Sequence, residues 1–266
     1  MTMYVMSDLQ YQAVYNCLSF ALASMMATTM FLWFRSFAVA DKYKSAVLIS
    51  GLVTFIAAYH YIRIFNSWVD AYHYSAGKLE GGAMSTSQGP TLTGIPFNDA
   101  YRYMDWLLTV PLLLIEILLV MKLDEATYSS KAWNLGVGSA LMIASGYYGE
   151  LVVTGDLTPR WMCWALSMVF FLYIVNELLN GLAEATQSET DPAIAGKIRT
   201  AQVWTVISWC TYPVVYLFPM MGINAAHAVV GIQIGYCASD IISKCGVGIV
   251  IYQISYAKSS KEALLP

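Results

Sequence analysis

The chain has 266 residues, of which 58% are hydrophobic and only 12% charged, with a formal net charge of −3 and a mean hydropathy of +0.55. Soluble domains average about 25% charged residues, so a water-soluble globule is excluded and nearly all of the length must go into membrane spans. The negative balance argues against nucleic acid as a partner, and the five cysteines (Cys17, Cys163, Cys210, Cys237, Cys245) all lie inside apolar stretches rather than in a loop-borne disulfide framework.

A span needs about 20 mostly apolar residues. Residues 1–10 contain Asp8 and no basic residue, so no cleavable leader is expected. The first apolar run, 11–34, is long enough to stay in the membrane. A short polar separator, Ala40 to Lys44, precedes the second run at 45–68. Residues 69–98 are rich in Gly, Ser, Thr and Pro and read as an exposed loop with a hairpin around Lys78 to Gly82. The third run, 100–121, carries Arg102, Asp105, Thr109, Pro111 and Glu116. The fourth and fifth, 132–153 and 161–182, lie close together. Residues 184–197 turn from acidic to basic and read as a flexible connector. The sixth run is 200–220 and the seventh 225–256, with Asp240 and Lys244 near its middle. The expected fold is therefore an all-α membrane protein, a single seven-transmembrane-helix bundle over residues 1–266.

Orientation follows from the basic residues. Arg35, Lys42, Lys44, Lys122, Lys131, Lys197, Arg199, Lys258 and Lys261 fall on one side of the seven runs, and Lys78 and Arg160 on the other. The excess of Lys and Arg marks the cytoplasmic face. The C-terminus is thus expected inside and the N-terminus outside.

The polar residues within the runs carry the chemistry. A charged group at bilayer depth costs at least ~2.5–3.5 kcal/mol. Arg102, Asp105, Thr109 and Glu116 follow one another at intervals of three, four and seven, which keeps them on one face of a helix. Asp105 and Glu116 lie about 16 Å apart along the axis at 1.5 Å per residue. Asp240 stands one turn before Lys244 on the same face. One such group can simply pin helices together; five in one chain read as an ion pathway. Thr109 alone is weak evidence, since Thr commonly packs helices. A desolvated lysine is also a nucleophile able to form a Schiff base. Trp106, Trp209, Tyr212 and Pro213 supply the rings that would confine a long conjugated ligand. No metal-ligating pattern is present in this reading.

Three motifs in this order, Arg102-Tyr103-Met104-Asp105-Trp106-Leu107-Leu108-Thr109-Val110-Pro111, then Trp209-x-x-Tyr212-Pro213, then Asp240-x-x-x-Lys244, resemble those of the microbial (type I) rhodopsins. Tyr59 to Trp68 resembles the second helix of the proteorhodopsin and xanthorhodopsin branch, a group of light-driven outward proton pumps. The resemblance implies that Lys244 binds all-trans retinal as a protonated Schiff base. It implies Asp105 as counter-ion and proton acceptor, Asp240 as second counter-ion, and His60 as a hydrogen-bond partner of Asp105, although a packing or subunit-contact histidine is the alternative. Glu116 would be the cytoplasmic proton donor, with Arg102 and Thr109 along the pathway. The pocket would be lined by Trp106, Leu113, Met142, Gly146, Trp164, Ser167, Trp209, Tyr212 and Pro213, and Leu113 implies green rather than blue absorption. Some xanthorhodopsin-like pumps carry a carotenoid antenna against a glycine window on the fifth helix. Trp164 stands at that position, next to Ala165, so no carotenoid antenna is expected. Membrane lipid and protons are the implied partners, and relatives usually form closed homo-oligomeric rings. Glu150 is a candidate for proton release, against the plainer reading of an exposed interfacial carboxylate.

The protein is expected to be a translocase rather than a conventional enzyme. Sodium-pumping relatives carry Asn, Asp and Gln where Asp105, Thr109 and Glu116 stand, and chloride pumps lack the first carboxylate. A photosensor signalling through a partner usually lacks a carboxyl donor at the position of Glu116. A ligand-activated seven-helix receptor leaves Asp240-x-x-x-Lys244 unexplained.

Overall fold

The computed structural model describes residues 4–73, 79–80, 83–84, 89–120, 123–151 and 156–263. Six helices, α1 (Asp8–Arg35), α2 (Asp41–Ala71), α3 (Ala100–Val120), α4 (Glu125–Leu151), α5 (Thr158–Ser188) and α6 (Pro192–Tyr216), are followed by a seventh rod. That rod runs as α7 (Ala225–Asp240), a π-helical turn at Ile241–Gly246, and α8 (Val247–Ala263). Each helix packs on the next in sequence, and the seventh rod returns to α1 and α2, so the bundle closes on itself. Among the described residues, five segments (Asp8–Ala38, Asp41–Ala71, Thr158–Gly181, Pro192–Met220 and Ala225–Lys261) are by length and composition able to cross a membrane.

The helix starts are written locally. Ser7 accepts from Gln10 N–H while the Gln10 side chain accepts from Ser7 N–H, a reciprocal cap for α1. Asn224 caps α7 through the N–H groups of Ala226 and His227. Asp191 caps α6 in the same way, with Pro192 in its first turn, where a missing N–H costs nothing.

That last cap corrects one expectation. Residues 184–197 are not a flexible connector: α5 continues to Ser188 and α6 starts at Pro192, leaving three residues between them. The charged sequence there is the polar overhang of two helices. Lys258 and Lys261 of α8 reach across it to Glu189 and Asp191, each at 3.3 Å. Arg35 donates to the Tyr252 hydroxyl at the same end of the bundle. At the opposite end, β1 (Tyr72–His73) pairs antiparallel with β4 (Thr91–Leu92), and β2 (Leu79–Glu80) with β3 (Ala83–Met84). The expected hairpin is thus made, while Lys78, Gly81 and Gly82 lie outside the described residues.

The core is split along the axis. One cluster, including Leu113, Leu114, Ile117, Leu118, Ile174, Ile198 and Ile251, fills the end of the bundle around Glu116. A second, with Tyr11, Tyr61, Ile64 and Trp68, joins α1 to α2. A third cluster holds Tyr103, Trp106 and Tyr236: Trp106 makes edge-on contacts with both Tyr212 and Tyr236, a favoured aromatic geometry.

Candidate functional site

Five ionisable side chains are withdrawn from the surface almost completely: Arg102 (1% exposed), Asp105 (1%), Glu116 (0%), Asp240 (0%) and Lys244 (1%). At that depth, an unpaired charge is prohibitive, so their pairing decides what the site can do. Lys244 sits in the π-helical turn, a rare wide turn found mostly at functional sites. Its Nζ donates to Asp105 Oδ2 at 2.9 Å and to Asp240 Oδ1 at 2.5 Å. The third and seventh elements thus meet on one ammonium.

The two carboxylates are held very differently. Asp240 also accepts from the Tyr61 hydroxyl (2.8 Å), the Tyr212 hydroxyl (2.7 Å) and the Trp106 indole N–H (3.2 Å), and the Arg102 guanidinium stands 3.7 Å away. Asp105 has only Lys244; its Oδ1 is buried without a partner among the described residues. Several hydrogen bonds to a carboxylate favour its charged form. Asp240 is the carboxylate richly supplied with donors, and Asp105 the one left with a single donor among the described residues.

Arg102 is clamped. Its Nη1 donates to the Tyr61 hydroxyl at 3.3 Å and its Nη2 to Gln233 Oε1 at 2.7 Å, while the guanidinium carbon lies over the rings of Tyr61 and Tyr236. Thr109 turns its hydroxyl back to the Asp105 backbone carbonyl at 2.8 Å, four residues earlier. It therefore serves its own helix and makes no side-chain bond to Asp105. The bond expected between His60 and Asp105 is absent among the described residues: the His60 Nδ1 and the Asp105 Oδ1 both lack partners there, and the ring packs edge-on against Tyr59.

Glu116 stands apart from this cluster, among Leu113, Leu114, Ile117 and Leu118. Neither of its oxygens completes a well-formed hydrogen bond among the described residues, and the Ser50 side chain of α2 stands against it. Glu150 corrects the exposed-carboxylate reading. Its side chain is 9% exposed, accepts a short hydrogen bond from the Tyr103 hydroxyl, and faces Arg160 at 3.9 Å. Tyr216, over whose ring Arg160 lies, closes this patch.

A cavity runs from Lys244 between α3, α4, α5 and α6. All nine side chains expected to line a pocket (Trp106, Leu113, Met142, Gly146, Trp164, Ser167, Trp209, Tyr212 and Pro213) do line it. So do Tyr103, Phe171, Tyr236 and Ser243, which sequence reasoning missed. The signal for Tyr236 was available: it stands four residues before Asp240, on the face already marked by Asp240 and Lys244. Ser167 donates to the Met142 carbonyl at 2.9 Å and Trp164 to the Pro213 carbonyl at 3.1 Å, so α5 is tied to both neighbours along the cavity wall.

Comparison with known proteins gives one family. The model of the bacteriorhodopsin-like protein family matches residues 13–257. The chain is 28% identical over 239 residues to the blue-light absorbing proteorhodopsin of Gamma-proteobacterium Hot 75m4, covering 90% of this chain and 84% of that protein. Among solved structures, xanthorhodopsin, described as a light-driven ion pump with dual chromophore, superposes with a TM-score of 0.86 at 36% identity, covering 99% of this chain and all of that one. Thermophilic rhodopsin superposes with a TM-score of 0.87 at 38% identity and the same coverage.

Proposed function

The chain belongs to the bacteriorhodopsin-like family of microbial rhodopsins, and from that premise we propose that it is a light-driven outward proton pump carrying all-trans retinal on Lys244. The observation that carries this reading is the unequal support of the two carboxylates around one lysine nitrogen. Four donors and a guanidinium neighbour Asp240, whereas one donor serves Asp105.

The residues present fit such a chromophore. A buried amine stands at one end of a cavity lined by apolar and aromatic side chains. At Gly146 a Cβ would lie 3.7 Å from Ser167 Oγ and 3.9 Å from Tyr103, ordinary contacts. The bare glycine therefore widens the lining without being forced by the protein around it. Retinal, when bound, supplies light absorption and a change of shape that re-aims the N–H of the lysine nitrogen.

The chain's own groups do the rest. With the chromophore attached, the protonated lysine nitrogen would keep one N–H, and so would serve one carboxylate well rather than two. Asp105 Oδ2, 2.9 Å away and otherwise unsupported, takes the proton. Asp240 stays ionised, because neutralising it would leave its Tyr61, Tyr212 and Trp106 donors without an anion. An ionised Glu116 in apolar surroundings with only the Ser50 side chain against it would be costly; as the acid it holds a proton ready for the lysine nitrogen from the other side. Arg102, fixed on Tyr61 and Gln233, keeps a positive charge on the exit side of Asp105. The basic residues at the end of the bundle holding Arg35, Lys258 and Lys261 mark that end as cytoplasmic, which makes Glu116 the inner donor and the direction outward.

Cells expressing the chain with all-trans retinal should acidify an unbuffered medium in light, and a protonophore should abolish the change. Light-driven transport that persists with the protonophore and follows sodium or chloride would refute proton pumping. Lys244→Ala should stay colourless with the same retinal.

A further inference from the structure

Beyond Arg102 the bundle holds another carboxylate. Asp99 lies just before α3, outside the helix, and is buried at 8% exposure. Its backbone carbonyl accepts from the Arg102 N–H at 3.0 Å, which starts the helix. Its Oδ1 accepts from Gln233 Nε2 at 3.3 Å, and its Oδ2 is buried without a partner among the described residues. Gln233, fully buried on α7, accepts on its Oε1 from Arg102 Nη2 at 2.7 Å. A guanidinium has only donors, so the amide oxygen must face Arg102 and the amide NH₂ must face Asp99. The orientation of Gln233 is therefore forced, and an unbroken polar chain runs from Lys244 through Asp240, Arg102 and Gln233 to Asp99.

Resting on the pump reading above, we propose that Asp99 is the exit carboxylate of the proton path, holding a proton on Oδ2 and releasing it outward, with Gln233 as the positioning residue that ties it to Arg102. The groups around it agree. Among the described residues, Arg102 of α3, Glu150 of α4 and Tyr236 of α7 are its charged and titratable neighbours. Burial, reinforced by Glu150, pushes the Asp99 carboxyl up to about 7. That is where a group must lie to exchange protons with a neutral medium.

Counting charges gives the moment of release. At rest, Lys244 and Arg102 are positive and Asp105 and Asp240 negative, so the inner cluster sums to zero. Transfer of the Lys244 proton to Asp105 leaves that sum at zero. When Glu116 then returns a proton to the lysine nitrogen, Asp105 is still neutral and the cluster carries one extra positive charge. At that point, the Asp99 O–H bond breaks, its electron pair stays on Oδ2, and the proton leaves to the external solvent. Asp105 afterwards gives up its own proton, Asp99 is refilled, and one proton has left per cycle.

The test uses the pigment reconstituted in lipid nanodiscs. In the dark, an infrared titration of wild type should convert one carboxylic-acid C=O band to carboxylate near pH 7. Asp99→Asn should lack this band and Glu150→Gln should keep it. Persistence of the band in Asp99→Asn, or its loss only in Glu150→Gln, overturns the assignment. After a flash, a pH-indicating dye should show release following reprotonation of the lysine nitrogen in wild type. Release should slow by about 10²-fold in Asp99→Asn, the lower reach of what a positioned proton-transfer group contributes, and recover in Asp99→Glu. Unchanged release in Asp99→Asn overturns the proposal. A wild type that never releases protons overturns the pump reading instead. Should Asp99→Asn fail to form pigment, Gln233→Leu decides: loss of the tie to Arg102 should move the dark titration to higher pH, and an unmoved midpoint refutes the link.

Discussion

Replacing each carboxylate of the Lys244 site by its amide tests the asymmetry on which the proton assignment stands. Asp105→Asn and Asp240→Asn both remove one negative charge from the same buried cluster, so the loss of charge largely cancels between them. The hydrogen bonds do not. Asp240 accepts from Tyr61, Tyr212, Trp106 and Lys244, whereas Asp105 accepts from Lys244 alone. An asparagine at 240 must turn its NH₂ group either toward Tyr61 and Arg102 or toward Tyr212, Trp106 and Lys244, and either choice sets donor against donor. A hydrogen bond to a charged group contributes about 1 kcal/mol more than one to a neutral group, so three extra bonds make Asp240→Asn less stable than Asp105→Asn by about 3 kcal/mol. Unfolding in SDS followed by tryptophan fluorescence measures this, on retinal-free protein so that pigment binding does not intrude. If the two variants are equally stable, or Asp105→Asn is the weaker, Asp240 is not the fixed anion. The division of labour between the carboxylates then fails. With retinal, Asp105→Asn should absorb further to the red and not transport; transport at the wild-type rate would remove Asp105 from the path.

Glu116→Gln should slow reprotonation of the lysine nitrogen by about 10²-fold, the lower range for a positioned proton donor, with partial rescue by azide; an unchanged decay in flash photolysis would dismiss Glu116 as donor. Trp164 lines the cavity and bonds the Pro213 carbonyl, so added carotenoid should not sensitise the wild-type pigment. Trp164→Gly should lose that bond, at about 1 kcal/mol, and open the wall; sensitisation in wild type, seen in its excitation spectrum, would show the wall already open. The Asp191 carboxylate is held below its ordinary value of 3.8, first by the Ala193 N–H and then by Lys261. A depressed carboxyl stabilises the α5–α6 corner above that value and loses its effect as pH falls below it. The protection of the Ala193 and Ile194 amides, taken relative to their intrinsic exchange rates, should therefore fall in acid in wild type, and be low at pH 7 in Asp191→Ala; equal protection in the two at pH 7 would refute the cap.

Hydrophobic run length and the three motifs were enough to read seven helices, the lysine, its two carboxylates and the nine pocket side chains. The helices follow from membrane thickness and the shared face of Asp240 and Lys244 from helical period, which are properties of the chain alone, whereas the pocket residues came only from the resemblance of the motifs to the microbial rhodopsins. The short separation of α5 and α6 was misread because charged residues in a helix overhang have the same composition as a loop, and only the Asp191 cap distinguishes them.

The rest belongs to the packed bundle. Which carboxylate gathers most of the donors depends on Tyr61, Tyr212 and Trp106 arriving from α2, α6 and α3 at one oxygen pair, and nothing in the residues near Asp240 in sequence announces them. The burial of Glu150 behind Tyr103 and Arg160 and the reach of Gln233 from Arg102 to Asp99 likewise join segments tens of residues apart. Sequence determined which groups are forced into a medium where charge is expensive. Tertiary structure decided which of them find partners there, because hydrogen bonds act over about 3 Å and that distance between helices is set only when all seven close.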